Sequence, residues 1–459
     1  RTYEFYPPQY AVDPQPVEHL RFALRREPFD LALIVTALKA IGPAEIEGWV
    51  RREPTGAHSR RAWFFYEHFL NERLDHPDTT RGNYVRALNP ALHVGLQRRR
   101  DSRRHRVIDN FLGGPGLCPM VRQTARLSAA QAMRLDEEAR RLVAGYDKTV
   151  LARAVNYLYT KETRSTFAIE GEKPSADRAA RFVEALRKAP GFDAGDPADL
   201  VALQGRIVDS RYAAVGWRDF QNFVGETVAG YREEVHFISP RPEDVPALMD
   251  GWLELYRRLI DDDVDPVVTA AVVAFAFVFI HPFEDGNGRI HRFLIHHILA
   301  RRGYSPKEAI FPVSAAIVRQ QHLYDEALES FSRPLFDHID WDWSPEDDLV
   351  VRNDTTHLYR YFDATRLVEF LYDRIVDTIR IDLKDELGFM TVFDSALQGV
   401  RQVVDMPDRR ASLLVRLIMQ NGGRLSGRKR EQFGELGDDE IARLEEAVRF
   451  AMARAEVPS

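Results

Sequence analysis

His281-Pro282-Phe283-Glu284-Asp285-Gly286-Asn287-Gly288-Arg289-Ile290-His291-Arg292 is the stretch on which the reading of this chain turns. An apolar run, Ala270 to Ile280, leads into it, and an amphipathic run, Ile290 to Ala300, leads out. Both runs exceed the usual length of a strand, so both are expected to be helices. His281 precedes a proline, which disfavours the α region, so the first helix should stop there. Gly286, Asn287 and Gly288 are residue types that tolerate positive φ. A turn built from them points successive backbone N–H groups into one concavity. That concavity opens on the N-terminus of the second helix, where unpaired N–H groups and the helix dipole favour an anion.

The side chains around this nest belong to one chemistry. Arg289 and Arg292 are three apart and share a face of the first helical turn. Two guanidiniums beside an anion nest suit a polyphosphate better than a lone carboxylate. Asp285 stands at the rim, where a carboxylate can hold Mg²⁺ against phosphate oxygens. His281 supplies a base expected to titrate near neutrality. Base, metal ligand, nest and arginines together suit phosphoryl-type transfer. The plain alternative is a helix–loop–helix whose glycines merely turn the chain, which is what a lone G-x-G usually means. The concentration of every component in one loop argues against it.

At these residues the chain resembles the Fic (Fic/Doc) family, whose motif is H-x-F-x-(D/E)-(G/A)-N-(G/K)-R-x-x-R. His281 to Arg292 matches each fixed position. The resemblance implies a mainly α protein with a Fic-type helical core and a short β-hairpin flap, flanked by N-terminal and C-terminal helical domains. It implies transfer of AMP from Mg-ATP to a Ser, Thr or Tyr hydroxyl of a protein. His281 would deprotonate the hydroxyl, Phe283 would anchor the loop, and Asp285 would bind Mg²⁺. Gly286, Asn287 and Gly288 would hold the α- and β-phosphates, and Arg289 and Arg292 the β- and γ-phosphates. The Doc branch resembles the motif with Lys in place of Gly288, so Gly favours the nucleotidyl branch.

A second stretch, Ser165-Thr166-Phe167-Ala168-Ile169-Glu170-Gly171, reads as one short helical turn with a Thr or Ser cap and Gly171 as a left-handed stop. Thr166, Glu170 and Gly171 match the family's self-inhibition motif, (S/T)-x-x-x-E-(G/N), placed N-terminal to the core as in the family's second class. The resemblance implies that Glu170 pairs with Arg292 and withholds it from the γ-phosphate. Its plain alternative is a capped helix with a solvent-facing acid. Val235, His236, Phe237 and Ile238 read as a strand before Pro240. In the family a hairpin near this place docks the target, as an exposed strand edge can by adding the target chain. Tyr324 would wall the adenine pocket by positional analogy, with ordinary packing as its alternative. Where the family often has Asn further along this helix, the chain has Ser332.

The bulk composition agrees with a soluble globular chain. The 459 residues suit two or three domains. Hydrophobic content of 45% and charged content of 29% are ordinary. A net charge of −7 argues against a wholesale nucleic-acid binder. Cys118 is the single cysteine, so an intrachain disulfide is ruled out and a reducing compartment fits. The strongest apolar run, Ala270 to Phe283, is shorter than the roughly 20 residues that span a bilayer. A cytoplasmic protein without a membrane partner is expected, with delivery into another cell left open.

Three regions are expected: 1–126, a core at 127–345 that includes the inhibitory helix at about 161–171, and 346–459. His58 to Leu74 carries a core-like aromatic cluster, Trp63, Phe64, Phe65, Tyr66 and Phe69. Arg98 to Arg106 reads as a solvated, ion-paired face, since no aromatics interleave its arginines. Helices are expected from Ser128 to about Gly145, Lys148 to Thr160, Ser175 to Ala189, Asp196 to Asp209, Pro246 to Ile260 and Ser314 to Phe331. Trp217 to Phe223 and Tyr231 to Ser239 are the extended segments, and Trp341 to Asp348 an acidic linker. His291, His296 and His297 lack the HExxH or Cys partners of a zinc site. In the last region, helices near 413–420, 426–433 and 438–452 are spaced like a helix-turn-helix, with Arg428-Lys429-Arg430 opening the middle one. Neighbouring acids offset those charges, so an accessory or homo-oligomerisation domain is favoured over DNA binding.

Rival readings stay in view. The same site would serve AMP removal, with Glu170 orienting water as in some family members, or transfer of UTP, GTP or phosphocholine groups. From other classes come a DNA-binding regulator with a nucleotide-sensing core, and a non-catalytic nucleotide-binding scaffold.

Overall fold

The computed structural model describes residues 5–228, 232–307 and 309–455. Its helices, in chain order, are α1 (Pro16–Arg26), α2 (Leu31–Ile41), α3 (Pro43–Arg52), α4 (Ala57–Leu70), α5 (Ala125–Ala132), α6 (Leu135–Ala144), α7 (Lys148–Ile169), α8 (Ala176–Lys188), α9 (Pro197–Ile207), α10 (Val245–Ile260), α11 (Pro266–Ile280), α12 (Asn287–Arg301), α13 (Val313–Arg319), α14 (Gln321–Leu335), α15 (Thr356–Arg360), α16 (Thr365–Asp377), α17 (Lys384–Val403), α18 (Asp408–Gln420), α19 (Gly427–Arg430) and α20 (Asp438–Ala455). The strands are short: β1 (Val85–Arg86), β2 (Asp101–Ser102) and β3 (Val107–Ile108) in one sheet, and two hairpins, β4 (Phe223–Val228) with β5 (Arg232–Ile238) and β6 (Trp341–Trp343) with β7 (Leu349–Val351). The protein is mainly α, as its periodicity requires.

Two compact units emerge, both discontinuous in sequence, whereas the sequence reading cuts the chain once near 126 and once near 345. The first comprises Arg1–Arg134, Thr163–Tyr304 and Ile317–Arg374. At its centre α11 packs on α12 and α10. Asp265 starts α11, its Oδ1 accepting from Val267 N and Val268 N at 2.8 and 3.1 Å, with Pro266 in the first turn. From Val267 to Phe277 every residue of α11 is buried. A helix apolar on all faces is stable only when enclosed, and α11 is thereby a fixed post on which the site is mounted. The α4 aromatics join a second core with α1, α2 and α3.

The second unit comprises Leu135–Glu162, Ser305–Ala316 and Ile375–Ser459. Its core lines α17, α18 and α20 with Phe393, Ala396, Val400, Leu414, Val415, Ile418, Leu444 and Val448. The middle element of the proposed helix-turn-helix, α19, has four residues and continues as a 3-10 turn, Glu431–Phe433. Arg430 pairs with Asp438 and Arg410 with Glu435, and α20 opens on Asp438, Asp439 and Glu440.

Several local expectations are corrected. The helix assigned to Ser128 is capped by Thr124, whose Oγ1 accepts from Leu127 N at 3.0 Å, and Ser128 lies inside it. Arg134, at φ 49°, breaks the run into α5 and α6. The segment 165–171 is the end of the long α7 rather than a separate turn, so Thr166 does not cap. Trp217 to Asn222 is loop, and the first hairpin strand starts at Phe223. Tyr231 lies outside the described residues. Ser314 to Phe331 is divided between α13 and α14 at Gln320. Trp341 to Asp348 begins a hairpin, β6–β7, rather than a linker. Of the basic stretch, Arg104 is held by Glu67 at 2.8 Å and Asp78 at 2.7 Å, and Arg99 by Asp101 at 2.7 Å. Among the described residues no helix is long and apolar enough to cross a membrane.

Candidate active site

The α11–α12 turn assembles the site. His281 ends α11 in the left-handed region, at φ 53°, with its N–H still bonded to Phe277 O at 3.0 Å. That conformation is uncommon for a non-glycine residue and swings the imidazole out of the helix. Nδ1 lies 3.1 Å from Val278 O. A carbonyl only accepts, so Nδ1 carries the proton and Nε2 is left as the acceptor. Burial pulls the imidazole well below its ordinary range, to about 4, helped by Arg218; the contacts with Val278 O and Asp285 oppose this. The expected titration near neutrality is therefore corrected: the ring is neutral at pH 7, the form a base requires.

His281 borders a cleft of about 400 Å³. Its walls are Val224, Glu226, His236 and Phe237 of the hairpin, Val278 and Phe279 of α11, and Asp325, Leu328, Glu329 and Ser332 of α14. The hairpin is antiparallel, pairing Val224 with Phe237 and Phe223 with Ile238. Phe237 anchors it, its ring 6.2 Å from Phe279 and 6.4 Å from His281. Ile238 is buried as well, with its carbonyl accepting from Tyr359 Oη at 2.6 Å. His236 Nε2 lies 3.8 Å from Glu226, and both side chains remain substantially exposed.

Beyond His281 the loop is stapled from within. Asn287 Nδ2 donates to Phe283 O at 2.8 Å, and Asn287 Oδ1 accepts from Phe283 N at 3.0 Å. The Asn287 side chain is thus consumed by the loop, leaving its amide for an anion. Phe283 is fully buried, 5.3 Å from Trp217 and 6.2 Å from Phe277. Gly286 caps α12 at φ 89°, where a Cβ would press on Val208 at 2.9 Å. No side chain caps α12. The first backbone donor satisfied there is Ile290 N, on Gly286 O at 2.9 Å. The N–H groups of Asn287, Gly288 and Arg289 have no acceptor among the described residues; of the three residues expected to build the turn only Gly286 has positive φ, and Asn287 and Gly288 open α12 instead, so the donors are those of a helix N-terminus.

The two arginines are buried and engaged. Glu170 sits between them: Oε1 is 2.6 Å from Arg292 Nη2 and Oε2 is 2.8 Å from Arg289 Nε. Arg292 also donates to Thr166 Oγ1 and to Thr166 O, the latter at 2.9 Å. Arg289 further pairs with Asp285 and, at 3.2 Å, with Glu172 Oε1. Gly171, at φ 70°, ends the helix that presents Glu170. A Cβ on Gly288 would lie 2.3 Å from Glu170 Oε1, so glycine makes room for that carboxylate. Glu170 takes the position an anionic ligand would have, at a helix N-terminus between two guanidiniums.

Asp285 Oδ1 accepts from Gly286 N at 2.6 Å and pairs with Arg289, while Oδ2 makes no hydrogen bond among the described residues. Mg²⁺ is commonly held by one or two carboxylates plus substrate phosphates, so a single carboxylate at the rim of the nest fits. Among the described residues there is no group of three or more metal-ligating side chains. Tyr324 is buried, 5.8 Å from the Phe370 ring and 6.1 Å from His291, and bonds Arg292. It supports the Arg292 guanidinium. His291 packs 4.5 Å from Phe275, and His297 bridges Tyr256 Oη at 2.8 Å and Ala189 O at 2.7 Å.

Residues 194–299 match the model of the Fic/DOC family. This segment is a Fic domain. It contains His281 to Arg292 and excludes Thr166 to Gly171. The protein adenylyltransferase Fic of Culex quinquefasciatus is 26% identical over 193 residues, 38% of this chain and 36% of that protein. Its counterpart from Aedes aegypti is 26% identical over 211 residues, 41% and 40% of the two chains. The chain therefore spans less than half the length of these relatives. A crystal structure of a Fic family protein from Desulfovibrio desulfuricans G20 aligns with a TM-score of 0.38 and 20% identity, over 60% of this chain and 80% of that one.

Sequence reasoning missed three residues around the Fic loop. Glu172 is a third acid on Arg289, after Glu170 and Asp285. Gln204 holds the loop by donating to Asp285 O at 3.1 Å. Arg218 holds His281 from behind. Each acts over a long separation in the chain, and no local pattern marks it.

Proposed function

We propose that this chain is a protein adenylyltransferase, moving AMP from Mg-bound ATP to a Ser, Thr or Tyr hydroxyl of a protein. The observation that carries this reading is the juxtaposition of an unprotonated Nε2 on His281 with three amides that have no acceptor among the described residues and two buried guanidiniums. The hydroxyl enters the cleft beneath the hairpin and gives its proton to Nε2, a general-base contribution of about 10²–10⁴-fold. Its oxygen attacks the α-phosphorus; the new P–O bond forms as the bond to the bridging oxygen breaks, and pyrophosphate leaves. The amides of Asn287, Gly288 and Arg289 and the guanidiniums of Arg289 and Arg292 stabilise charge on the phosphates. Asp285 would hold the Mg²⁺, which supplies further charge neutralisation when bound.

In this reading Glu170 competes with the phosphates for both arginines and inhibits the chain, supported by its contacts with Arg292 and Arg289. Thr166 holds Arg292 in place for that contact. The hairpin offers its strand edges to the target chain, with Val235 to Ile238 above His281. Incubation with α-labelled and γ-labelled ATP tests the reading: α-label should appear on protein and γ-label should not. Transfer of γ-label alone would replace nucleotidyl by phosphoryl transfer.

A further inference from the structure

Arg218 lies in the loop before β4 and is 5% exposed. Its fork is committed to carbonyls: Nε donates to His281 O at 2.8 Å, Nη1 to Phe220 O at 2.7 Å and Nη2 to Pro240 O at 2.7 Å. Its own N–H donates to Pro282 O at 2.8 Å. No carboxylate pairs with it among the described residues, and burial draws its pKa down to about 10. A buried cation without a counter-anion is costly, so its retention calls for a reason. The carbonyls it binds supply one. Nη2 also lies 3.5 Å from Ile280 O, and that carbonyl and His281 O belong to the C-terminus of α11, whose orphan acceptors and dipole favour a cation. Those of Phe220 and Pro240 belong to the two arms at the base of the hairpin.

We infer that Arg218 is the positioning residue of the reaction, clamping the left-handed His281 to the base of the target-docking hairpin and setting a fixed positive charge beside its imidazole. This rests on the reading of His281 as the base. A left-handed non-glycine residue persists only where its surroundings over-determine it, and Arg218 bonds two successive carbonyls, His281 O through its side chain and Pro282 O through its N–H. The charged groups around the imidazole are Asp285 on its own loop, Glu226 and His236 from the hairpin, Asp325 and Glu329 from α14, and Arg218. The acids favour the imidazolium. Arg218 opposes them, and burial acts in the same direction. One guanidinium thus fixes where Nε2 points and keeps it able to accept a proton.

The test uses the full chain with Glu170→Gly, comparing Arg218→Lys and Arg218→Gln by kcat and KM for α-label transfer across pH and by NMR titration of His281. Arg218→Lys retains the charge and loses the fork: kcat should fall by roughly 10²-fold, the cost of a misdirected reacting group, with KM for ATP and the acid limb unchanged. Arg218→Gln loses the charge: the acid limb and the His281 titration should both move to higher pH. Unchanged kcat in Arg218→Lys, or an unmoved His281 titration in Arg218→Gln, overturns the inference. If Arg218→Gln does not fold, as thermal melting will reveal, the Arg218→Lys result decides alone. His281→Ala in the same background separates the two claims. Full labelling by it removes the base reading itself, whereas a silent His281→Ala beside unaltered Arg218 variants removes only the role of Arg218.

Discussion

Replacing Glu170 by Gly is expected to raise AMP transfer by about 10- to 150-fold. The carboxylate makes two charged contacts, 2.6 Å to Arg292 and 2.8 Å to Arg289. The hydrogen bond to Arg292 contributes about 1.5–3 kcal/mol, and the contact with Arg289, an ion pair whose Nε makes no hydrogen bond among the described residues, brings the gross figure to about 3–6 kcal/mol. Glu170 is 24% exposed, so solvent screens part of this, and the freed guanidiniums regain water. Halving the sum leaves about 1.5–3 kcal/mol held against the productive arrangement of ATP, and each 1.36 kcal/mol is about tenfold in rate. The assay is the initial rate of α-label incorporation, by wild type and variant, with Mg²⁺ and ATP in excess. Glu170→Gln, which keeps the shape and loses the charge, should give an intermediate rate. If Glu170→Gly labels no faster than wild type while His281→Ala is silent, the carboxylate does not withhold the arginines and self-inhibition is refuted.

Gly288→Ala should destabilise the resting chain, because its Cβ would meet Glu170 Oε1 at 2.3 Å. In a Glu170→Gly background that penalty should shrink, with a coupling of about 0.5–3 kcal/mol by denaturant melts, as expected for residues in contact; equal penalties would contradict the geometry. Asn287→Ala strands the buried N–H of Phe283, at about 1–3 kcal/mol, and leaves its C=O with the long 3.5 Å contact from Asn222 Nδ2. A fall in the melting midpoint and loss of labelling should follow, and an unchanged midpoint would refute the staple. Asp285→Asn should weaken labelling and raise the Mg²⁺ concentration needed for half-maximal rate; an unaltered Mg²⁺ dependence would remove Asp285 as the ligand.

The sequence made the loop legible because its chemistry is local. Gly286 must adopt positive φ, Asp285 must precede the nest, and Arg289 and Arg292 must share a helical face, all within one turn of chain. Glu170 was legible only through family resemblance, since nothing local tells an acid at a helix end where its partner lies. The extra contacts were not legible for the same reason. Arg218 reaches His281 across 63 residues, and Glu172 reaches Arg289 only because α7 ends against α12. Boundaries failed where side-chain bonding outbid propensity. Thr124 rather than Ser128 caps α5, because its hydroxyl is the one within reach of a free N–H. The lowered pKa of His281 needed burial, which no pattern of types gives. The hairpin ran longer than its sequence suggested, its acids, Glu226, Glu233 and Glu234, masking the strand signal.

The most direct measurement is the mass of the adduct on protein incubated with ATP and the Glu170→Gly chain, beside the same chain carrying His281→Ala. Addition of one AMP to a hydroxyl side chain, abolished by His281→Ala, is the predicted result. An adduct of any other mass, or one that persists without His281, would contradict nucleotidyl transfer through this base.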